Sequence, residues 1–189
     1  MKFGIKIKIF LSFCIYFIIQ GNLIIFETSY QKYFIKFREE KMPKKSAYIK
    51  QVNGITFAGK TDSNHWVIMD GPEEFGGSNA GIRPKELLLL GLGGCTGSDV
   101  VSILNKKRVK LEGFEMNIDS ELCEEHPQTY TKMHIEYVFY GNDVMEKDVE
   151  RAIELSQTKY CGVTKMFEKA AEITYSYKIV KTEPVVIEN

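Results

Sequence analysis

Cys95 and Cys161 occupy contexts suited to thiol chemistry. Cys95 closes the run Arg83-Pro84-Lys85-Glu86-Leu87-Leu88-Leu89-Leu90-Gly91-Leu92-Gly93-Gly94. Cys161 sits in Ser156-Gln157-Thr158-Lys159-Tyr160-Cys161-Gly162-Val163. The first follows an apolar, glycine-loosened helical stretch, and the second opens a short helix. Two such thiols form a redox pair if the fold brings them together. Otherwise they are two buried small hydrophobes. A thiol is useful chemically only where its thiolate is stabilised. Asp99 follows Cys95 by one helical turn and shares its face, which opposes ionisation. Lys85 lies to one side of that face and Glu86 on the opposite one. Cys161 has Lys159 and Lys165 nearby and stands at a helix start, so local charge favours it as the better activated thiol.

Other motifs are weaker. Cys123-Glu124-Glu125-His126 is a single CxxH without a second half, and no zinc site is expected there. The acids around Cys123 disfavour its thiolate, so Cys123 and Cys14 are expected to be inert. Glycines at 91, 93, 94 and 97 do not make a dinucleotide loop, because Thr96 takes the place of the last glycine and the run lies within a helix. Close helix packing is the expected use of these glycines. His65, His126 and His134 are scattered, and no Ser-His-Asp set stands out. After residue 41 the only arginines are Arg83, Arg108 and Arg151.

The 189 residues fit one domain with one sizeable core. Basic and acidic residues number 25 each, but unevenly. Residues 1–41 hold seven basic and three acidic residues, and residues 42–189 hold 18 and 22. The larger part is mildly acidic, which excludes a basic nucleic-acid footprint. Four widely spaced cysteines are too few for a disulfide-dense secreted scaffold.

Residues 1–41 read as an extension foreign to the rest. Lys2, Lys6 and Lys8 before apolar Ile9–Ile19 have a signal-like layout, without a small-residue cleavage site. Leu11-Ser12-Phe13-Cys14 is a poor lipoprotein box, and Gln20-Gly21-Asn22 interrupts a stretch nearing membrane-spanning length. Ile, Phe, Lys, Tyr and Asn supply 26 of the 41 residues, the bias of translated AT-rich sequence. Translation is expected to start at Met42. A signal or membrane anchor is the alternative. With the later start, no membrane is expected and the protein is placed in the cytoplasm.

From residue 42 the pattern predicts an α+β domain over 42–189. Tyr48–Val52 and Ile55–Lys60 flank Asn53-Gly54, a hairpin signal, and His65–Asp70 is a third strand. Gly71–Gly81 is a loop. A buried central helix runs from Pro84 to about Arg108. Leu111–Leu122 and Tyr130–Tyr140 alternate as half-buried antiparallel strands. Asp143 is expected to cap a helix over 144–158, with Val149, Ala152, Ile153 and Ser156 on one face. A short helix over 161–169 and a strand around Ile173–Ile179 complete the order β-β-β-α-β-β-α-α-β.

The runs from Arg83 to Thr96, Asp99-Val100-Val101 and Lys159-Tyr160-Cys161-Gly162-Val163 resemble the OsmC/Ohr family of thiol-dependent hydroperoxide reductases. The resemblance covers about residues 44–180. It implies an intertwined homodimer with long central helices and two active sites at the interface. It implies that Cys95 is the peroxidatic thiol, Cys161 the resolving one, an organic hydroperoxide the substrate and an external dithiol the reductant, in defence against oxidative stress. No metal or organic cofactor is implied. The apolar run Leu87–Leu92 suits an organic hydroperoxide better than hydrogen peroxide.

The chain departs from the family pattern in one respect. The peroxidase members pair the reactive cysteine with an arginine from an N-terminal strand and a glutamate at the start of the central helix. Here the N-terminal strands carry Lys60 but no arginine. Lys85 fills the acidic position, with Glu86 one place later as the supporting carboxylate. The chain therefore looks like a divergent branch. Enzymatic action requires Lys60, Arg83 or Lys85 beside Cys95. The alternative is a non-enzymatic dimer that binds an apolar small molecule at the same interface.

Overall fold

The computed structural model describes residues 16–19, 22–25 and 44–181. Apart from two short strands, β1 (Tyr16–Ile19) and β2 (Asn22–Ile25), paired antiparallel, residues 1–41 lie outside the described set, as do Cys14 and Met42. The described residues divide into two compact units, one with residues 49–59 and 66–181, the other with residues 16–19, 22–25, 44–48 and 60–65. In the smaller unit, Ser46 Oγ donates to Asp62 at 2.6 Å and Lys60 Nζ donates to Asn64 Oδ1 at 2.7 Å.

The domain is α+β in the predicted order. Strands β3 (Ala47–Asn53), β4 (Thr56–Thr61) and β5 (Trp66–Met69) form one sheet in that sequence. Gly54 takes a positive φ of 50° at the β3–β4 turn, a conformation glycine adopts without strain. A single 3₁₀ turn, Glu73–Phe75, interrupts the following loop.

Asp70 organises that loop. Its carboxylate is buried and accepts backbone N–H bonds from Gly71, Ser78 and Ala80 at 2.7, 3.0 and 3.0 Å. These bonds, Ala80's the largest, hold the carboxyl below its ordinary pKa although burial opposes them. Arg83 is tied into the same loop. Its guanidinium donates to the carbonyls of Asp70 and Gly81 and to Asn79 Oδ1.

The second sheet has the order β6-β7-β8. Strands β6 (Gly113–Leu122) and β7 (Tyr130–Tyr140) pair antiparallel, and β8 (Glu172–Val180) joins β7 in parallel. A parallel neighbour requires a crossover, which the helical segment between β7 and β8 supplies. Central β7 contributes Met133, Ile135, Tyr137 and Phe139 to the core, all essentially inaccessible. Burying each such side chain stabilises by about 1.5–3 kcal/mol. The alternation predicted for β6 holds, with Phe114, Met116 and Ile118 half-buried.

Helix α1 (Glu86–Lys106) lies on β6. It starts two residues later than predicted, because Pro84-Lys85 form a turn in which Glu86 N–H and Leu87 N–H both donate to Arg83 O. It ends at Lys106, and Arg108 takes a left-handed φ of 61°, closing the helix through its N–H to Asn105 O. Two of its glycines permit the approach to the sheet. A Cβ at Gly97 would lie 2.8 Å from Met116 Sδ, and one at Gly93 would lie 3.0 Å from Ile118 Cδ1.

Two expectations are corrected here. The first half of α1 is not buried in the protomer: Leu88 and Leu90 are 47% and 61% exposed, while Leu92 is fully covered. One sheet and the helices beside it cover only part of the helix surface. Nor does Asp143 cap the next helix. Helix α2 spans Glu146–Leu155, and Met145 stands at its N-cap with no side-chain bond. The predicted inner face of Val149, Ala152, Ile153 and Ser156 is buried. A π turn, Ser156–Tyr160, follows, then α3 (Gly162–Phe167).

Candidate active site

Helix α1 carries Cys95 and Asp99 one turn apart on a common face. The π turn then decides where Cys161 falls. Cys161 N–H bonds Ser156 O at 2.9 Å, a five-residue step that widens the last turn before α3. Cys161 becomes the N-cap of α3, and its Sγ accepts Thr164 N–H at 3.4 Å. As a result one ligand-type atom from each of Cys95, Asp99 and Cys161 lies within 4.8 Å of the others. The two cysteines singled out by the sequence do meet. Cys161 is buried and Cys95 is half-exposed, with both thiols free.

A buried polar network supports this group. Thr96 Oγ1 lies 2.8 Å from Tyr137 OH and 2.9 Å from Ser156 Oγ. Gln157 Nε2 donates to Tyr137 OH at 2.8 Å, and Ser156 Oγ donates to Asp99 Oδ2 at 3.3 Å. Sequence reasoning missed Thr96, Tyr137 and Gln157 as parts of the site. The available signal was polar groups at positions the apolar periodicity marks as inward. Such groups are retained inside only when bonded to one another.

The thiolate of Cys95 is disfavoured, as expected from Asp99, but Asp99 is not the main cause. Burial pushes the Cys95 thiol up, the Cys161 thiol beside it adds to this, and Asp99 adds less. The Val163 backbone N–H pulls the other way. Of the cations assigned to the pair, Arg83, Lys85, Lys159 and Lys165 make other contacts. Arg83 is held in the Asp70 loop. Lys85 Nζ donates to Gln128 O at 2.8 Å. Lys165 pairs with Glu168 at 2.7 Å, and Lys159 lies over the Tyr160 ring. Glu86 accepts Arg83 N–H at 3.2 Å and is not part of the three-residue group.

Cys123, by contrast, reverses its expectation. Its sulfur accepts Thr129 N–H at 3.1 Å. Thr129's backbone and side chain, assisted by Lys85, lower the thiol below its ordinary pKa. The neighbouring acids do not dominate, because hydrogen bonds at contact distance outweigh exposed carboxylates.

A profile of the OsmC-like protein family matches residues 76–176. The chain belongs to the OsmC-like family. Protein YhfA of Escherichia coli strain K12 is 40% identical over 137 residues, covering 71% of this OsmC-like chain and 97% of that protein. A hypothetical protein from Aquifex aeolicus VF5 superposes with a TM-score of 0.67 at 32% identity, covering 75% of this chain and all of that one. An organic hydroperoxide resistance protein OsmC from Legionella pneumophila shares the fold, with a TM-score of 0.56 at 14% identity over 74% of this chain and 99% of that one. The matched stretch includes both cysteines, Asp99 and the π turn.

Helix α1 is long and apolar enough to cross a membrane by length and mean hydropathy. In this OsmC-like fold it packs on β6 and on the helices that carry Cys161.

Proposed function

We propose that the protein reduces organic hydroperoxides through Cys95 and Cys161, in defence against oxidative stress. The observation that carries the reading is the approach of both sulfurs to one place, on elements far apart in sequence. The hydroperoxide resistance named for structural relatives supports it. Cys95 thiolate attacks the hydroperoxide, an S–O bond forms, the O–O bond breaks and the alcohol leaves. Cys161 condenses with the resulting sulfenic acid, releasing water and forming the disulfide. An external dithiol returns both thiols by exchange. The reading includes a homodimer, residues 42–189 as the OsmC-like domain, and a cytoplasmic location where dithiol reductants are maintained. Glu86 has at most a supporting role, through the start of α1.

A second reading is favoured by the raised Cys95 thiol and by the cations held elsewhere. It is a non-enzymatic dimer binding an apolar small molecule at the dimer interface. Peroxide consumption separates the two. Reduced wild type is expected to consume cumene hydroperoxide and form a Cys95–Cys161 disulfide, seen by peptide mass mapping. Cys95→Ser is expected to do neither. Equal slow rates for both proteins would overturn the peroxidase reading.

A further inference from the structure

We propose that the reduced Cys95–Cys161 pair, together with Asp99, is a binding site for a soft divalent cation, with Zn²⁺ as the fitting ion. The three donor atoms lie within 4.8 Å of one another. Tetrahedral zinc holds sulfur at about 2.3 Å and carboxylate oxygen at about 2.0–2.2 Å, so donor atoms stand a little under 4 Å apart. Metal binding would draw the three donors closer by side-chain rotation. Cys95 and Asp99 are one turn apart on α1, and Cys161 is fixed by the N-cap of α3.

The outer contacts suit a bound cation. Thr164 N–H points at the Cys161 sulfur at 3.4 Å, and Val163 N–H faces the Cys95 sulfur. Backbone N–H donors of this kind stabilise metal-bound thiolates. Ser156 Oγ holds one Asp99 oxygen at 3.3 Å, which leaves the other for the metal. Thr96 anchors Ser156 in turn. Three protein donors with a half-exposed Cys95 give a site with one open position, the arrangement that takes a water or an exchangeable ligand. The charge also fits. Metal binding would displace the thiol protons, and the divalent ion would offset most of the charge of two thiolates and a carboxylate, while Arg83, Lys85, Lys159 and Lys165 make other contacts.

Occupancy would mask both thiols. The disulfide would release the ion, because its sulfurs are then bonded to each other and only Asp99 remains. That regulatory consequence rests on the thiol chemistry proposed above, whereas the binding does not.

The test is binding of Zn²⁺ to the reduced full chain without peroxide, by competition with a chromophoric chelator, with Co²⁺ absorption as a second readout. One tightly held ion per chain and a thiolate-to-cobalt charge-transfer band are expected. Cys95→Ser and Cys161→Ser should abolish both, and Asp99→Asn should weaken binding at least tenfold. Cys123→Ser should change neither. Circular dichroism checks that each variant is folded. No stoichiometric ion in the wild type, unchanged affinity in folded Asp99→Asn, or loss in Cys123→Ser would each overturn the proposal. Because no peroxide is present, failure here leaves the peroxidase test standing, and the converse holds too.

Discussion

Cys95 and Cys123 sit in opposite surroundings, and reactivity should report it. Burial, the Cys161 thiol and Asp99 raise Cys95, while Thr129 and Lys85 lower Cys123. A raised pKa means less thiolate at neutral pH, so reaction of Cys95 with iodoacetamide should climb as pH rises past the ordinary thiol range of about 8.5. Cys123 should react faster at neutral pH and level off earlier. Asp99→Asn removes a negative charge beside Cys95, so the Cys95 profile should shift to lower pH and Cys123 should not move. Peptide-resolved alkylation across pH in chelator-treated reduced protein measures both at once. An unmoved Cys95 profile would show that Asp99 does not act on the thiol. The thiol pairing was legible in the sequence as a possibility. The destination of Lys85 was not, because its partner Gln128 lies 43 residues away and nothing local announces that contact.

At the scale of elements, the patterns set by alternation and helical period were readable. β6, β7, α1 and the inner face of α2 follow directly from them. The π turn was not readable, since it depends on the packing of Ser156 and Gln157 against Thr96 and Tyr137 rather than on local propensity. The glycines of α1 carry a testable contrast. Gly97→Leu places a side chain into Met116 and Phe114 and should destabilise by about 1–3 kcal/mol, read as a lower Tm. Gly91→Ala meets nothing within 4 Å and should raise stability by about 0.5–1 kcal/mol. The Asp70 loop supplies a pH dependence. The folded pKa is depressed, so the stabilisation is complete above the unfolded carboxylate value of about 3.9 and is lost as pH falls through the lower folded value. Amide exchange at Ser78 and Ala80, normalised for intrinsic rates, should lose protection across that acid window. Asp70→Asn should lose it already at neutral pH.

At the scale of the molecule, the half-covered α1 is the informative feature. Leu88 and Leu90 are exposed, and Leu87 and Leu89 are only partly covered. A run of four leucines left this open is an unusual surface for an isolated protomer. The homodimer expected from the family would cover it with a second copy, and burial of apolar area of this kind drives association. Leu90→Lys places a charge on that face without touching the protomer core. Analytical ultracentrifugation should then find a dimer for the wild type and a shift toward monomer for Leu90→Lys, with unchanged far-ultraviolet circular dichroism. The same variant tests where the pair finds its activating charge. Arg83 and Lys85 of the same protomer are engaged elsewhere, so a cation offered across the interface would be lost with the dimer. Peroxide consumption per Cys95 should fall at least tenfold in the monomeric variant. A monomer with full activity would place the activating group within one chain.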